Sequence, residues 1–106
     1  MGILNNIFGK QPNSDKLTDT INNPETFLVD VRTPGEFAGG SAKGATNIPL
    51  DSILFNIKSF ENKKQIVVFC RSGNRSAQAL SILNQAGIKH VINGGTWEDV
   101  ASLQNK

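Results

Sequence analysis

The chain has 106 residues, enough for one domain with one modest core. Hydrophobic residues make up 38% and charged residues 19%, an ordinary globular balance, and a formal net charge of +2 is too small to argue for nucleic acid or an anionic membrane as partner. One cysteine excludes an internal disulfide, and a single histidine beside it leaves no His/Cys cluster for a metal.

The N-terminal stretch carries Ile3, Leu4, Ile7 and Phe8 at a spacing that suits one or two turns of amphipathic helix over 3–8. A helix docked on the domain and a partner-docking peptide both fit that pattern. A secretory signal needs a charged start and a continuous apolar core of roughly 7–15 residues, and this stretch has neither. Asn6 stands where a myristoylation motif needs Ser or Thr. No apolar run approaches the roughly 20 residues of a membrane span, so a cytoplasmic location is expected. Residues 1–13 read as a short helix or tail with a linker, and 14–106 as the domain.

Ser14 is the expected cap of a helix over about 15–22, with Leu17 and Ile21 on one face, ended by Asn22-Asn23-Pro24. TFLVDV, 26–31, is an apolar, β-branched run that predicts a buried strand. The Gly-rich 33–44 holds at most a short helix at 35–38, and ATNIP, 45–49, a brief strand stopped by Pro49. Asp51 is the expected cap of the next helix, with Leu50 and Phe55 as its staple and Leu54, Ile57 and Phe60 as its buried face. QIVVF, 65–69, is the second strong strand. Ser76–Ala86 reads as a helix with Ala79, Leu80, Leu83 and Ala86 on one stripe, and Gly87 and Ile88 are placed for a Schellman ending. HVIN, 90–93, predicts a short strand, Gly94-Gly95 a turn, and Thr96 the cap of a last helix. Strands alternating with helices imply βα units and a largely parallel sheet covered on both faces, with ligands beyond the carboxyl ends of the strands.

Cys70 sits at that edge. With 65–69 a strand and a helix beginning near 75, residues 70–75 form a loop opening onto a helix N-terminus, whose first N–H groups lack internal partners. Curled around the sulfur, the loop becomes an anion-binding nest, and Gly73 permits the positive φ such a curl needs. Arg71 and Arg75 add positive charge, so the thiol pKa is expected to be depressed. The bland alternative is a buried cysteine that merely ends a strand. His90, the only histidine, begins a different strand and has no signal tying it to Cys70 as a base. A cysteine activated by its loop alone suits two chemistries: attack on the outer sulfur of a donor, giving a persulfide, or attack on phosphorus or arsenic in an oxyanion.

FLVDVRTPGEFAGG (27–40), KGATNIPL (43–50), VVFCRSGNRSA (67–77) and NGGTW (93–97), in that order, resemble a single-domain rhodanese, a thiosulfate sulfurtransferase-like protein. The resemblance covers roughly residues 15–103. It implies the rhodanese fold, α/β with a small central parallel sheet and helices on both faces. It also implies that Cys70 carries the transferred sulfur and that Arg71, Ser72, Gly73, Asn74 and Arg75 form the substrate- and persulfide-binding loop. The family's phosphatases and arsenate reductases have a loop one residue longer, so the C-x4-R spacing here favours sulfur. Asp30 and Arg32 of the DVR motif are implied to frame the site, either as architecture or in substrate contact. Glu36 is either a helix-start carboxylate or an ion-pair partner for an active-site arginine. Trp97 reads as a packing residue or a pocket wall. Many members carry a His and a Pro where this chain has Ser41 and Lys43, which is expected to alter loop packing more than chemistry.

The expected function is transfer of a sulfane sulfur from a small anionic donor such as thiosulfate to cyanide, a thiol or a protein thiol, through a persulfide on Cys70. No cofactor, metal, nucleic acid or membrane is expected. Alternatives are a non-catalytic persulfide carrier or adaptor and, further off, a phosphatase or arsenate reductase.

Overall fold

The computed structural model describes residues 12–106, with side chains from residue 16 onward. The helix expected over 3–8 lies outside them. The first described element, α1, runs Pro12–Asn22. It starts earlier than the sequence suggests, so Ser14 lies inside it rather than capping it. Proline has the φ of a first helical turn and no N–H to leave unpaired, which makes Pro12 a favourable start. Asn22 closes α1 onto the chain's end: its Nδ2 donates to the Leu103 carbonyl at 2.9 Å and its Oδ1 accepts from Asn105 N–H at 2.7 Å.

Then follow β1 (Thr26–Asp30), α2 (Pro34–Ala38), β2 (Thr46–Asn47), a 3₁₀ segment over Leu50–Phe60, β3 (Gln65–Cys70), α3 (Asn74–Gln85), β4 (Val91–Thr96) and α4 (Trp97–Leu103). The four strands form one sheet in the order β2-β1-β3-β4, all parallel. Alternate residues of the strands feed two cores, one on each face. Val29, Ile66, Val68 and Cys70 pack with Ile53 and Phe60 of the 3₁₀ segment and with Ala79 and Leu83 of α3. Leu28, Val67 and Phe69 pack with Ile21 of α1 and Val100 of α4. Five consecutive residues of β3, Ile66 to Cys70, have no exposed surface. At about 1.5–3 kcal/mol per fully buried large apolar side chain, β3 is the main anchor of both cores.

Four expectations are corrected here. Leu54 is 65% and Phe55 88% exposed, while Ile53 is buried. The segment is 3₁₀ rather than α, with three residues per turn, so Leu50 and Ile53 share the inner face. A break at Asn56 (φ −125°) then brings Ile57 and Phe60 inward. The segment starts at Leu50 after Pro49 with no side-chain cap, so neither the Asp51 cap nor the Leu50–Phe55 staple forms. Ala86 is exposed because α3 has already ended at Gln85. Gly94 and Gly95 do not turn the chain. They belong to β4, where Val68 pairs Asn93 and Phe69 pairs Gly95, leaving Gly94 as an extra residue in a bulge. A Cβ on Gly94 would stand 2.8 Å from Val67 Cγ1 and 2.9 Å from Val100 Cγ2, so only glycine fits.

The capping expectations at the two later helices hold. Gly87 has φ +93°, Ile88 N–H donates to the Leu83 carbonyl and Gly87 N–H to that of Asn84, a Schellman ending. Thr96 Oγ1 accepts from Asp99 N–H at 3.0 Å and caps α4. The register aligns Asp30, Asn47, Cys70 and Thr96 at the carboxyl end of the sheet. His90 precedes β4 at the opposite end, where its carbonyl accepts from Ile66 N–H.

Candidate active site

Cys70 is the last residue of β3 and is fully covered. Beyond it the chain curls so that Gly73, at φ +95°, donates its N–H to Cys70 Sγ at 3.0 Å. Gly73 then caps α3, which begins at Asn74. Asn74 and Arg75 therefore stand in the first helical turn rather than in a loop. Ser76, also without exposed surface, places its hydroxyl 3.5 Å from Sγ. That hydroxyl lies 2.7 Å from Asn93 Oδ1 and 3.1 Å from the Gly73 carbonyl.

Burial acts on the thiol most strongly and raises its pKa. The Ser76 hydroxyl and the N–H groups of Ser76, Ser72 and Gly73 together outweigh burial, and the net pKa lies below the ordinary 9.0. Hydrogen bonds at a helix start thus lead among the effects that lower it, where the sequence left N–H groups and arginine charge unranked. The reason is visible at Arg75. Its guanidinium is held by Glu36 in a two-pronged pair, Nη1 to Oε1 at 2.8 Å and Nη2 to Oε2 at 3.0 Å. Much of its field is neutralised before it reaches the sulfur.

Glu36 fills both roles offered for it. It closes a capping box with Thr33 at the start of α2, and it clamps α2 to α3 through Arg75. Its pKa is lowered to about 2, first by the Arg75 hydrogen bond and then by Thr33 N–H. Arg71 and Ser72 are exposed on the rim, as is Asn74, and Arg71 makes no ion pair among the described residues. A cleft of about 220 Å³, lined by Val31, Thr33, Pro49, Leu50, Asp51 and Arg75, opens beside the Arg75–Glu36 pair.

Asp30 and Arg32 make a buried frame next to this loop. Arg32 Nη2 meets Asp30 Oδ2 at 2.7 Å, with side chains 6% and 0% exposed. Asp30 Oδ1 also accepts from Arg32 N–H, and Arg32 Nη2 donates to the Gly40 carbonyl at 2.6 Å. Ser41 donates to Asp30 Oδ2 at 2.6 Å. The Trp97 ring covers the guanidinium, 5.0 Å from its centroid. Every charge in the frame is thus satisfied internally, which fits the architectural reading. Lys43 keeps its side chain exposed, and its backbone is held at both N–H and carbonyl by Gln104.

Three comparisons bear on this geometry. Residues 13–100 match the family model described as Rhodanese-like domain. The chain belongs to the rhodanese-like domain family. Among its relatives is a sulfurtransferase of Allochromatium vinosum, 38% identical over 80 residues, spanning 76% of this chain and 72% of that one. Another is the thiosulfate sulfurtransferase PspE of Escherichia coli, 36% identical over 75 residues, spanning 69% and 72%. A solved rhodanese with anions from E. coli superposes with a TM-score of 0.66 at 35% identity, covering 72% of this chain and 92% of that one. The fold is that of the rhodaneses.

In this rhodanese-like domain the structure gathers Cys70, Gly73, Arg75 and Glu36 at one sheet edge, with Asp30 and Arg32 beside them. It does not bring His90 there. Sequence reasoning missed Ser76, treating it only as a helix start. A signal existed: Ser76, Ala79 and Leu83 fall on one buried stripe, so a hydroxyl stands where the periodicity calls for an apolar side chain. Asn93 was read only as a strand end. Among the described residues no group of three or more His, Cys, Asp and Glu side chains could hold a metal, and no helix is long and apolar enough to cross a membrane.

Proposed function

We propose that this rhodanese-like domain is a cytoplasmic sulfurtransferase working by two displacements on Cys70. The observation that carries the reading is the sulfur at the end of β3, 3.0 Å from the Gly73 N–H, at the head of a C-x4-R stretch that runs into the first turn of α3, with its thiol pKa lowered. The thiolate attacks the outer sulfur of an anionic donor such as thiosulfate. A new S–S bond forms at Cys70, the donor's S–S bond breaks, and its electron pair leaves with sulfite. The acceptor, cyanide or a thiolate, then attacks the terminal sulfur, and the electron pair returns to Cys70. No cofactor enters either step. The same N–H groups that favour the thiolate favour the persulfide anion.

Arg71, which makes no ion pair among the described residues, is the loop's positive charge for the donor, since Arg75 is committed to Glu36. The sulfur is covered at rest, and the exposed Arg71–Ser72 side of the loop is the approach we assign to the donor. The loop length argues against a tetrahedral phosphoryl or arsenate substrate.

The test is intact-protein mass after brief incubation of reduced protein with thiosulfate, beside Cys70→Ser. A gain of one sulfur, about 32 Da, that cyanide removes is expected. No gain in the wild type with thiosulfate, or an equal gain in Cys70→Ser, would overturn the reading. Sulfur uptake followed by slow release to cyanide but fast release to a protein thiol would identify a persulfide carrier instead.

A further inference from the structure

Asn93 is a polar side chain on β4 with no part in the mechanism above, yet its amide grips two of the residues that surround the sulfur, Gly73 and Ser76. Its Nδ2 donates to the Gly73 carbonyl at 3.2 Å. Its Oδ1 accepts from the Ser76 hydroxyl at 2.7 Å and from Gly95 N–H at 2.9 Å. The approach depends on the bulge. Gly95 Cα lies 3.7 Å from where a Cβ on Gly73 would stand, so strand and loop run close enough for one amide to reach both.

Gly73 needs such a hold. At φ +95° a glycine is unstrained, but without a Cβ no steric wall keeps it there rather than in its many other conformations. The other hydrogen bonds to its carbonyl, from Ala77 N–H at 3.1 Å and the Ser76 hydroxyl at 3.1 Å, come from α3 itself. They tie the loop to its own helix. Among the described residues, the Asn93 bond is the one to that carbonyl that comes from the sheet.

We infer that Asn93 is a positioning residue for the Cys70 loop: by pinning the Gly73 carbonyl to β4 it keeps the Gly73 N–H aimed at the sulfur. The inference rests on the reading of Cys70 as the reacting group. Ser76 introduces an opposing effect, because its single proton is divided among Asn93 Oδ1, the Gly73 carbonyl and Cys70 Sγ, and removing Asn93 gives the sulfur a larger share. Asn93→Asp separates the two: it keeps the acceptor for Ser76 and Gly95 but loses the donor to Gly73. The pair Ser76→Ala and Ser76→Ala/Asn93→Ala separates them without adding a charge. The charged groups around the sulfur stay in place in all of these variants. They are Arg71 on its own loop, Arg75 on α3 paired with Glu36 of α2, and the Asp30–Arg32 pair at the end of β1; β4 brings no titratable group.

The readouts are amide exchange at Gly73 and the pH profile of Cys70 alkylation by iodoacetamide. Adding Asn93→Ala to Ser76→Ala is expected to speed Gly73 exchange by about 2- to 10-fold, the range that one hydrogen bond gives. It is also expected to move the alkylation midpoint to higher pH, with a cooperative thermal transition retained. Asn93→Asp speeds Gly73 exchange in the same way; its alkylation midpoint also carries the new carboxylate's charge, which salt screens little beside a buried sulfur, so exchange is the readout for that variant. Unchanged exchange and midpoint in a folded double variant would overturn the inference; if the double variant does not fold, unchanged Gly73 exchange in Asn93→Asp does so. Neither readout needs a sulfur donor, so failure of wild-type protein to take sulfur from thiosulfate would sink the proposed function without deciding this inference.

Discussion

Replacing Ser76 by alanine isolates the group that the structure adds to the cysteine cradle. The hydroxyl is fully buried, and its one proton has three acceptors within reach: Asn93 Oδ1 at 2.7 Å, the Gly73 carbonyl at 3.1 Å and Cys70 Sγ at 3.5 Å. Its loss orphans neither oxygen. Asn93 Oδ1 keeps Gly95 N–H, and the Gly73 carbonyl keeps Ala77 N–H and Asn93 Nδ2. The cost is therefore that of a net hydrogen bond, about 0.5–1.5 kcal/mol, rather than of an unsatisfied buried group. For a chain of this size each kcal/mol corresponds to a fall of about 4–8 °C in Tm. The thiol responds in a definite direction. The Ser76 hydroxyl is the largest effect lowering its pKa, so without it burial weighs more and the pKa rises. Thermal unfolding and the pH profile of iodoacetamide alkylation measure the two consequences together. A Ser76→Ala protein that alkylates with an unchanged or lower midpoint would refute the argument that hydrogen bonds, rather than arginine charge, favour the thiolate here.

The Glu36–Arg75 clamp carries a pH dependence of known sign. Glu36 has its pKa lowered from 4.5 to about 2 by Arg75 and Thr33, so its contribution to stability is full above 4.5 and is lost as pH falls toward 2. Glu36→Gln is expected to flatten that part of the acid-stability curve, and a carboxylate NMR titration of Glu36 with a midpoint near the ordinary value would contradict the clamp. Gly94→Ala forces a methyl to within 2.8–2.9 Å of two fully buried valines whose branched side chains cannot turn away. A destabilisation of about 1–3 kcal/mol is expected from denaturant unfolding, and an unchanged midpoint would mean that the bulge moves freely. Arg71→Ala is expected to raise KM for thiosulfate by up to about fivefold, as an exposed charge of about 0.2–1 kcal/mol allows, with kcat little changed. The wild-type KM should rise with ionic strength and the variant's much less; equal salt dependence in both would remove Arg71 from donor capture.

The legible parts of this protein are those whose cause is local. The strand 65–69 is a continuous apolar run that nothing else accommodates. Gly87 and Thr96 end and begin helices through contacts within a few residues, and both stand where local chemistry puts them. The errors arise where a distant neighbour decides. Leu54 and Ile53 are equally apolar, and only packing against Val29, Ile66 and Val68 in a 3₁₀ segment selects Ile53. Gly94-Gly95 carries the local signature of a turn, but Val67 and Val100 leave no room for a side chain there, and the glycines serve a bulge inside the sheet.

The site divides along the same line. The sequence by itself determined a lone cysteine between a buried strand and a Gly-containing helix start, because strand, loop and helix are contiguous and the curl needs only Gly73. It also determined the spacing of six residues from Cys70 to Arg75 on which the sulfur reading depends. The tertiary structure decided which groups act on that sulfur. Glu36 comes from 39 positions away to take the charge of Arg75, and Asn93 comes from 17 positions away to hold Ser76. Both arrive because parallel pairing brings the carboxyl ends of β1, β3 and β4 to one edge. No local propensity encodes which side chains meet there; that follows from register, and register follows from burying both faces of the sheet at once.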